Sequence, residues 1–151
     1  MAACLQQHQV TWLRTFASRD LRRMLCFYEA PGAEAVRITQ DHAGLPFDRA
    51  WLGVSVSPPR PPALPEGYTT VIVERAVAHD VTEAEWRQRA EAGAWCMAAY
   101  RVELVESVFA PSHGRAVCVF IAPDAEAVRM ANRQLGSQAL HAWPCIGWRA
   151  P

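Results

Sequence analysis

Cys26-Phe27-Tyr28-Glu29-Ala30-Pro31-Gly32-Ala33-Glu34-Ala35-Val36-Arg37 returns later as Cys118-Val119-Phe120-Ile121-Ala122-Pro123-Asp124-Ala125-Glu126-Ala127-Val128-Arg129. The offset is 92 positions, without a gap. The same register carries Val10 onto Val102, Arg23 onto Arg115, Gly44 onto Gly136 and Ala50-Trp51 onto Ala142-Trp143. At the N-terminal end it carries Ala2 and Cys4 onto Ala94 and Cys96. One register held over so many positions is an internal duplication, and each copy is one supersecondary unit.

The later copy is the fuller one. Thr69–Val77 is rich in β-branched residues and reads as a strand. Asp80 with Glu83, or Thr82 with Glu85, has the spacing of a capping box and starts a helix. That helix runs past Trp86 to about Ala92; Gly93 is placed to end or kink it, and Ala94–Ala99 to extend it. Arg101–Phe109 alternates as a strand, Pro111-Ser112-His113-Gly114 is turn chemistry, and Arg115–Ile121 returns as the hairpin partner. Asp124 then opens a second helix that Gly136 stops, and Ala139–Trp148 is a last strand that Pro144 confines to an edge or a bulge. The order strand, helix, strand, strand, helix, strand is the split βαβ of the ferredoxin-like fold.

The earlier copy predicts a hairpin of Gln9–Phe16 and Arg22–Glu29, a helix over Gly32–His42 and a last strand over Arg49–Val56. Its first strand and most of its first helix would fall before Met1. The expectation is therefore α+β: tandem ferredoxin-like units forming a pseudo-dimer of the dimeric α+β barrel type, the first lacking strand 1 and most of helix 1. Residues 1–57 are the shortened unit, 58–67 a proline-rich, extended linker and 68–151 the complete unit. The missing central strand predicts a reduced three-stranded sheet. In it Arg49–Val56 lies beside Arg22–Glu29 or pairs with the second unit, and an exposed edge favours a homodimer.

Composition excludes several functions. The 15 basic and 15 acidic residues cancel, all 15 basic residues are Arg, and no basic run attracts nucleic acid or an acidic membrane. No apolar run is long enough to span a bilayer and no signal peptide opens the chain, which predicts a cytoplasmic protein. Five Cys without Cys-x-x-Cys spacing argue for buried free thiols rather than disulfides.

The segments Val10–Asp20, Arg22–Arg37 and Ala43–Arg49 resemble a small bacterial family of unknown function, and the second unit follows it at Val73-Glu74-Arg75 and Ala122–Arg129. The resemblance implies ferredoxin-like α+β units and, for some members, nickel binding.

A hairpin turning about Arg19-Asp20 pairs Phe16 with Arg23, Arg14 with Leu25, Trp12 with Phe27 and Val10 with Glu29. One face then holds Trp12, Arg14, Arg23 and Glu29, and the equivalent face of the second unit holds Glu106 and Arg115, with Glu74 or Arg75 nearby. These residues would line a ligand-binding cleft between sheets. The ion-pair alternative, a network that only holds the sheets, stands beside it. The five His show no metal-binding spacing; His8, Cys4 and Cys26 can converge as metal ligands if the N-terminal segment packs on the hairpin. The leading reading is a small-molecule or metal-binding protein. The alternatives are a cofactor-independent enzyme of the dimeric α+β barrel kind, a monooxygenase or isomerase, and a partner-binding module.

Overall fold

A computed structural model describes residues 2–56, 63–137 and 139–150, the side chains of 2–4 excepted. The fold is mixed α+β with antiparallel strand pairing. The chain divides into two compact units, Met1–Leu52 with Ile146–Pro151, and Gly53–Cys145.

In the second unit β4 (Thr69–Ala76) is followed by α3 (Glu83–Ala99), β5 (Glu103–Ala110), β6 (Arg115–Ala122), α4 (Ala125–Gln134) and β7 (Ala139–Arg149, which runs on into the first unit after Cys145). The strands lie in the order β7-β4-β6-β5, with β3 (Val54–Val56) on the outside of β5. Thr82 is the residue that caps α3: its side chain accepts from Glu85 N, while Glu85 returns a bond to the Thr82 N–H. The helix passes through Gly93 unbroken. A Cβ there would lie 3.1 Å from Leu135 Cδ1, so this glycine provides close helix packing rather than a stop. Val71, Val73, Cys118, Phe120 and Val128 form the core against these helices.

In the first unit α1 (Ala2–Gln7) precedes β1 (Thr11–Ser18), β2 (Met24–Glu29) and α2 (Ala33–His42), with strand order β2-β1-β7. The end of β7 belongs here: Ala150 N–H donates to Leu13 O (3.0 Å). Among the described residues this unit holds three strands, but the third is the end of β7 and not Arg49–Val56, the strand the shortened copy predicts for it. Arg49–Val56 forms a strand only at Val54–Val56, and it takes the second of its two expected places, pairing with β5. The linker residues 58–62 lie outside the described residues; beyond them Tyr68 N–H bonds Pro65 O (3.1 Å) in a turn whose Gly67 sits at φ +77°.

The two hairpins carry one register. Thr15 opposes Cys26 as Ser107 opposes Cys118, and Phe16 opposes Leu25 as Val108 opposes Val117. Each has an irregularity at the same place, between Trp12 and Arg14 and between Leu104 and Glu106. Ser107 Oγ lies 3.4 Å from Cys118 Sγ, and Thr15 Oγ1 donates to Cys26 Sγ at 3.2 Å. Arg37 reaches Ala50 O at 3.1 Å, and Arg129 reaches Ala142 O at 2.9 Å.

This register corrects the expected pairing. Phe16 faces Leu25 rather than Arg23, and Arg14 faces Phe27 rather than Leu25. The cause is the turn: Leu21 adopts φ +57°, Leu21 N–H bonds Ser18 O, and Ser18 Oγ bonds Asp20. The loop is therefore Arg19–Arg22, closed by Ser18 N–H to Arg23 O. Leu13 is the extra residue of the bulge, which turns Trp12 to the side opposite Arg14.

Candidate functional site

The bulge sorts the first hairpin into two faces. Arg14 rests on the Phe27 ring, its Cζ 4.5 Å from the centroid, and Phe16 meets Phe27 edge-on at 5.9 Å. Arg23 and Glu29 alternate with Leu25 and Phe27 on this side of β2. Trp12 stands on the other side, where its indole N–H donates to Thr15 Oγ1 (2.9 Å) and it opposes Tyr28. Cys26 shares that side as the acceptor of the Thr15 hydroxyl.

In the second unit Glu74 accepts from the Trp143 indole N–H (3.1 Å), and Glu106 accepts from the Ser55 hydroxyl (2.8 Å). Arg75 points to the opposite, helix-covered face, where it donates to Asn132 and Ser137. Arg115 closes the β5–β6 hairpin opposite Ala110.

Beneath α1 and α2 the first unit has a partly open pocket of about 40 Å³, lined by Leu5, Val10, Trp12, Tyr28, Thr39 and Gln40 among others. That volume suits water, not an organic ligand. Gln40 Nε2 donates to the Tyr28 hydroxyl (2.7 Å). Burial, and then the neighbouring Cys26, push the Tyr28 phenol up to about 12 from 10.0. In the second unit burial alone pushes the Cys145 thiol up to about 12 from 9.0. Both folded values lie above the unfolded ones, so the folded chain keeps protons that the unfolded chain releases. This contribution is whole below pH 9.0 and is lost as pH rises toward 12. Urea melts across that alkaline range should show a falling midpoint, and Cys145→Ala with Tyr28→Phe should flatten the fall.

Histidine supplies the feature that spacing did not reveal. Two residues past the end of α1 the left-handed Gln9, at φ +54°, turns the chain, and Val10 N–H closes the helix on Leu5 O (2.9 Å). This sets His8 at the helix end. His42 is the last residue of α2. Their rings lie 5.6 Å apart, tilted by 52°. The Nε2 of His8 is buried and has no hydrogen-bond partner, a costly state for a ring nitrogen. At the equivalent positions of the second unit, Tyr100 and Gln134 satisfy one another at 2.7 Å. The duplicated junction is thus a closed hydrogen bond in one copy and an imidazole pair in the other.

Two imidazoles on one transition metal, each with a metal–nitrogen distance of about 2.1 Å, hold their ring centres roughly 4.5–6.4 Å apart. The observed separation falls inside that span. Among the described residues no group of three or more His, Cys, Asp or Glu could hold a metal, so the pair is a two-donor anchor and not a full ligand set. Of the other expected ligands, Cys26 is engaged by Thr15 and the side chain of Cys4 lies outside the described residues.

Among the described residues no helix is long and apolar enough to cross a membrane. No curated protein and no solved structure matches the chain. A family model described as nickel responsive protein SCO4226-like matches residues 1–51 and 72–143. The two matched stretches end at Trp51 and Trp143, which are equivalent under the repeat. With most of its length covered in this way, the chain belongs to the SCO4226-like family of nickel responsive proteins.

Proposed function

We propose that this protein binds a transition metal of the nickel class in its first unit, with His8 and His42 as the protein donors. The observation that carries the reading is the buried, partnerless Nε2 of His8 beside the His42 ring. Imidazole suits nickel, zinc and copper, and the buried His8 Nε2 has no hydrogen bond to give up on binding one. The position of His42 at the end of α2 adds to this, because the C-terminal end of a helix dipole favours a cation. The family description, nickel responsive, agrees with that choice of metal. A bound metal would supply Lewis acidity and a fixed positive charge; the chain's own part is to present two imidazoles from two helix ends.

The same reading includes the architecture: a shortened ferredoxin-like unit over 1–57 and a complete one over 68–151, a pseudo-dimer after gene duplication. The identical hairpin registers and the strand order β7-β4-β6-β5 support it.

Calorimetric titration of untagged protein with nickel tests the site. His8→Ala and His42→Ala should each weaken binding by at least about tenfold, the loss that even outer-shell partners of a metal produce. Tyr100→Phe, at the equivalent place in the second unit, should leave the affinity unchanged. Equal affinity in the wild type and both His variants would refute the assignment.

A further inference from the structure

The outer edge of β2 carries no strand among the described residues. Its counterpart β6 is paired residue by residue with β4, from Thr69 opposite Ala122 to Ala76 opposite Arg115. β2 has β1 on one side and is the terminal strand of the order. Successive residues of an antiparallel strand present their N–H and C=O groups to alternate sides. Arg23 O accepts from Ser18 N–H, toward β1. The backbone groups of Met24, Cys26 and Tyr28 therefore point outward. Their equivalents Ala116, Cys118 and Phe120 are the residues that oppose Arg75, Val73 and Val71 of β4. The strand Met24–Glu29 holds no proline, and the bulge lies in β1, so neither device blunts this edge. Met24 is 65% exposed on it.

We propose that β2 pairs antiparallel with β2 of a second copy of this chain, about a twofold axis through Cys26. Hydrogen-bond parity requires outward residues to oppose outward residues. With the axis at Cys26, Met24 opposes Tyr28, Cys26 opposes Cys26 and Leu25 opposes Phe27. About six backbone hydrogen bonds form. Arg23 then lies opposite Glu29 of the other copy, and by symmetry this happens twice. Sliding by two residues in either direction sets Leu25 against Glu29, or Arg23 against Phe27, and loses both charge pairs. Charge complementarity thus selects a second copy and one register.

Light scattering of the full chain with a chelator present, from micromolar to near-millimolar concentration, tests this independently of the metal site. The expected result is a concentration-dependent rise to twice the chain mass. Arg23→Glu and Glu29→Arg should each weaken the dimer on the order of tenfold by setting like charges opposite, and the double variant should restore it. A short bis-maleimide should yield a covalent dimer that Cys26→Ser abolishes. A monomer throughout, or a dimer indifferent to both charge reversals, would overturn the proposal. So would a dimer that the double variant fails to restore while both singles remain folded by circular dichroism.

Discussion

Replacing Trp86 with alanine is expected to destabilise the second unit by about 3–5 kcal/mol, the usual cost of deleting a large aromatic from a packed site. Trp86 lies one turn inside the capped end of α3. It packs against both hydrophobic clusters of this unit, that of Val71, Val73, Phe120 and Val128 and that of Val77, Val81, Phe109 and Ala116. Its ring stacks on Phe109, with centres 5.2 Å apart and planes 15° from parallel. Its indole N–H donates to Ser107 Oγ at 2.9 Å, and Ser107 is 1% exposed. Truncation leaves a cavity between two clusters and removes the donor that satisfies a buried hydroxyl. Trp86→Phe separates these effects. It keeps the stacking and loses the N–H, and should cost about 1 kcal/mol, because Ser107 Oγ still has Cys118 Sγ 3.4 Å away. Urea denaturation of the three proteins, followed by circular dichroism, checks the order. An alanine variant as stable as the phenylalanine one would show that α3 is not held by this side chain. Set against a typical domain stability of about 5–15 kcal/mol, the larger loss would leave little margin.

Arg75→Met should cost about 2–3 kcal/mol, and adding Asn132→Leu should return most of it. Arg75 is 7% exposed and Asn132 is 2% exposed. The guanidinium donates to Asn132 Oδ1 and to Ser137 Oγ, both neutral. A buried cation whose acceptors among the described residues are both neutral is expensive, and it persists because both depend on it. Methionine fills much of the volume but leaves the Asn132 oxygen without a donor in the core. Leucine at 132 removes that orphan, and also the Asn132 Nδ2 bond to Val128 O within α4, whose carbonyl keeps its helical partner. Half of a polar network is worse than none, so the two changes should be strongly non-additive. Thermal melts of both singles and the double close the cycle. Additive losses would mean that Arg75 and Asn132 are not coupled.

The sequence alone determined whatever depends on short-range chemistry repeated at a fixed offset. A capping box at the start of α3 and the Asp124 cap needed no tertiary knowledge, because caps satisfy backbone groups within a few residues; the structure chose Thr82–Glu85 over Asp80–Glu83. The match of Cys26–Arg37 to Cys118–Arg129 likewise foretold equivalent hairpins, since equal side-chain patterns with one face buried set equal registers.

Tertiary structure decided the rest. The alternation of Trp12 and Arg14 puts them on one face only if no residue is inserted, and the bulge at Leu13 inserts one. Gly93 looks like a helix stop, yet Leu135, far along the chain, packs where its side chain would be. Arg49–Val56 was open to two partners, and contact with β5 at Phe109, Val108 and Ser107 chose between them. His8 and His42 share no ligand spacing. They meet because the left-handed Gln9 turns the chain just past the end of α1, and α2 finishes beside that point. A proximity created by two helix ends leaves no periodic trace in the sequence; the one trace it does leave is the comparison of repeats, in which histidines stand where the other copy has Tyr100 and Gln134.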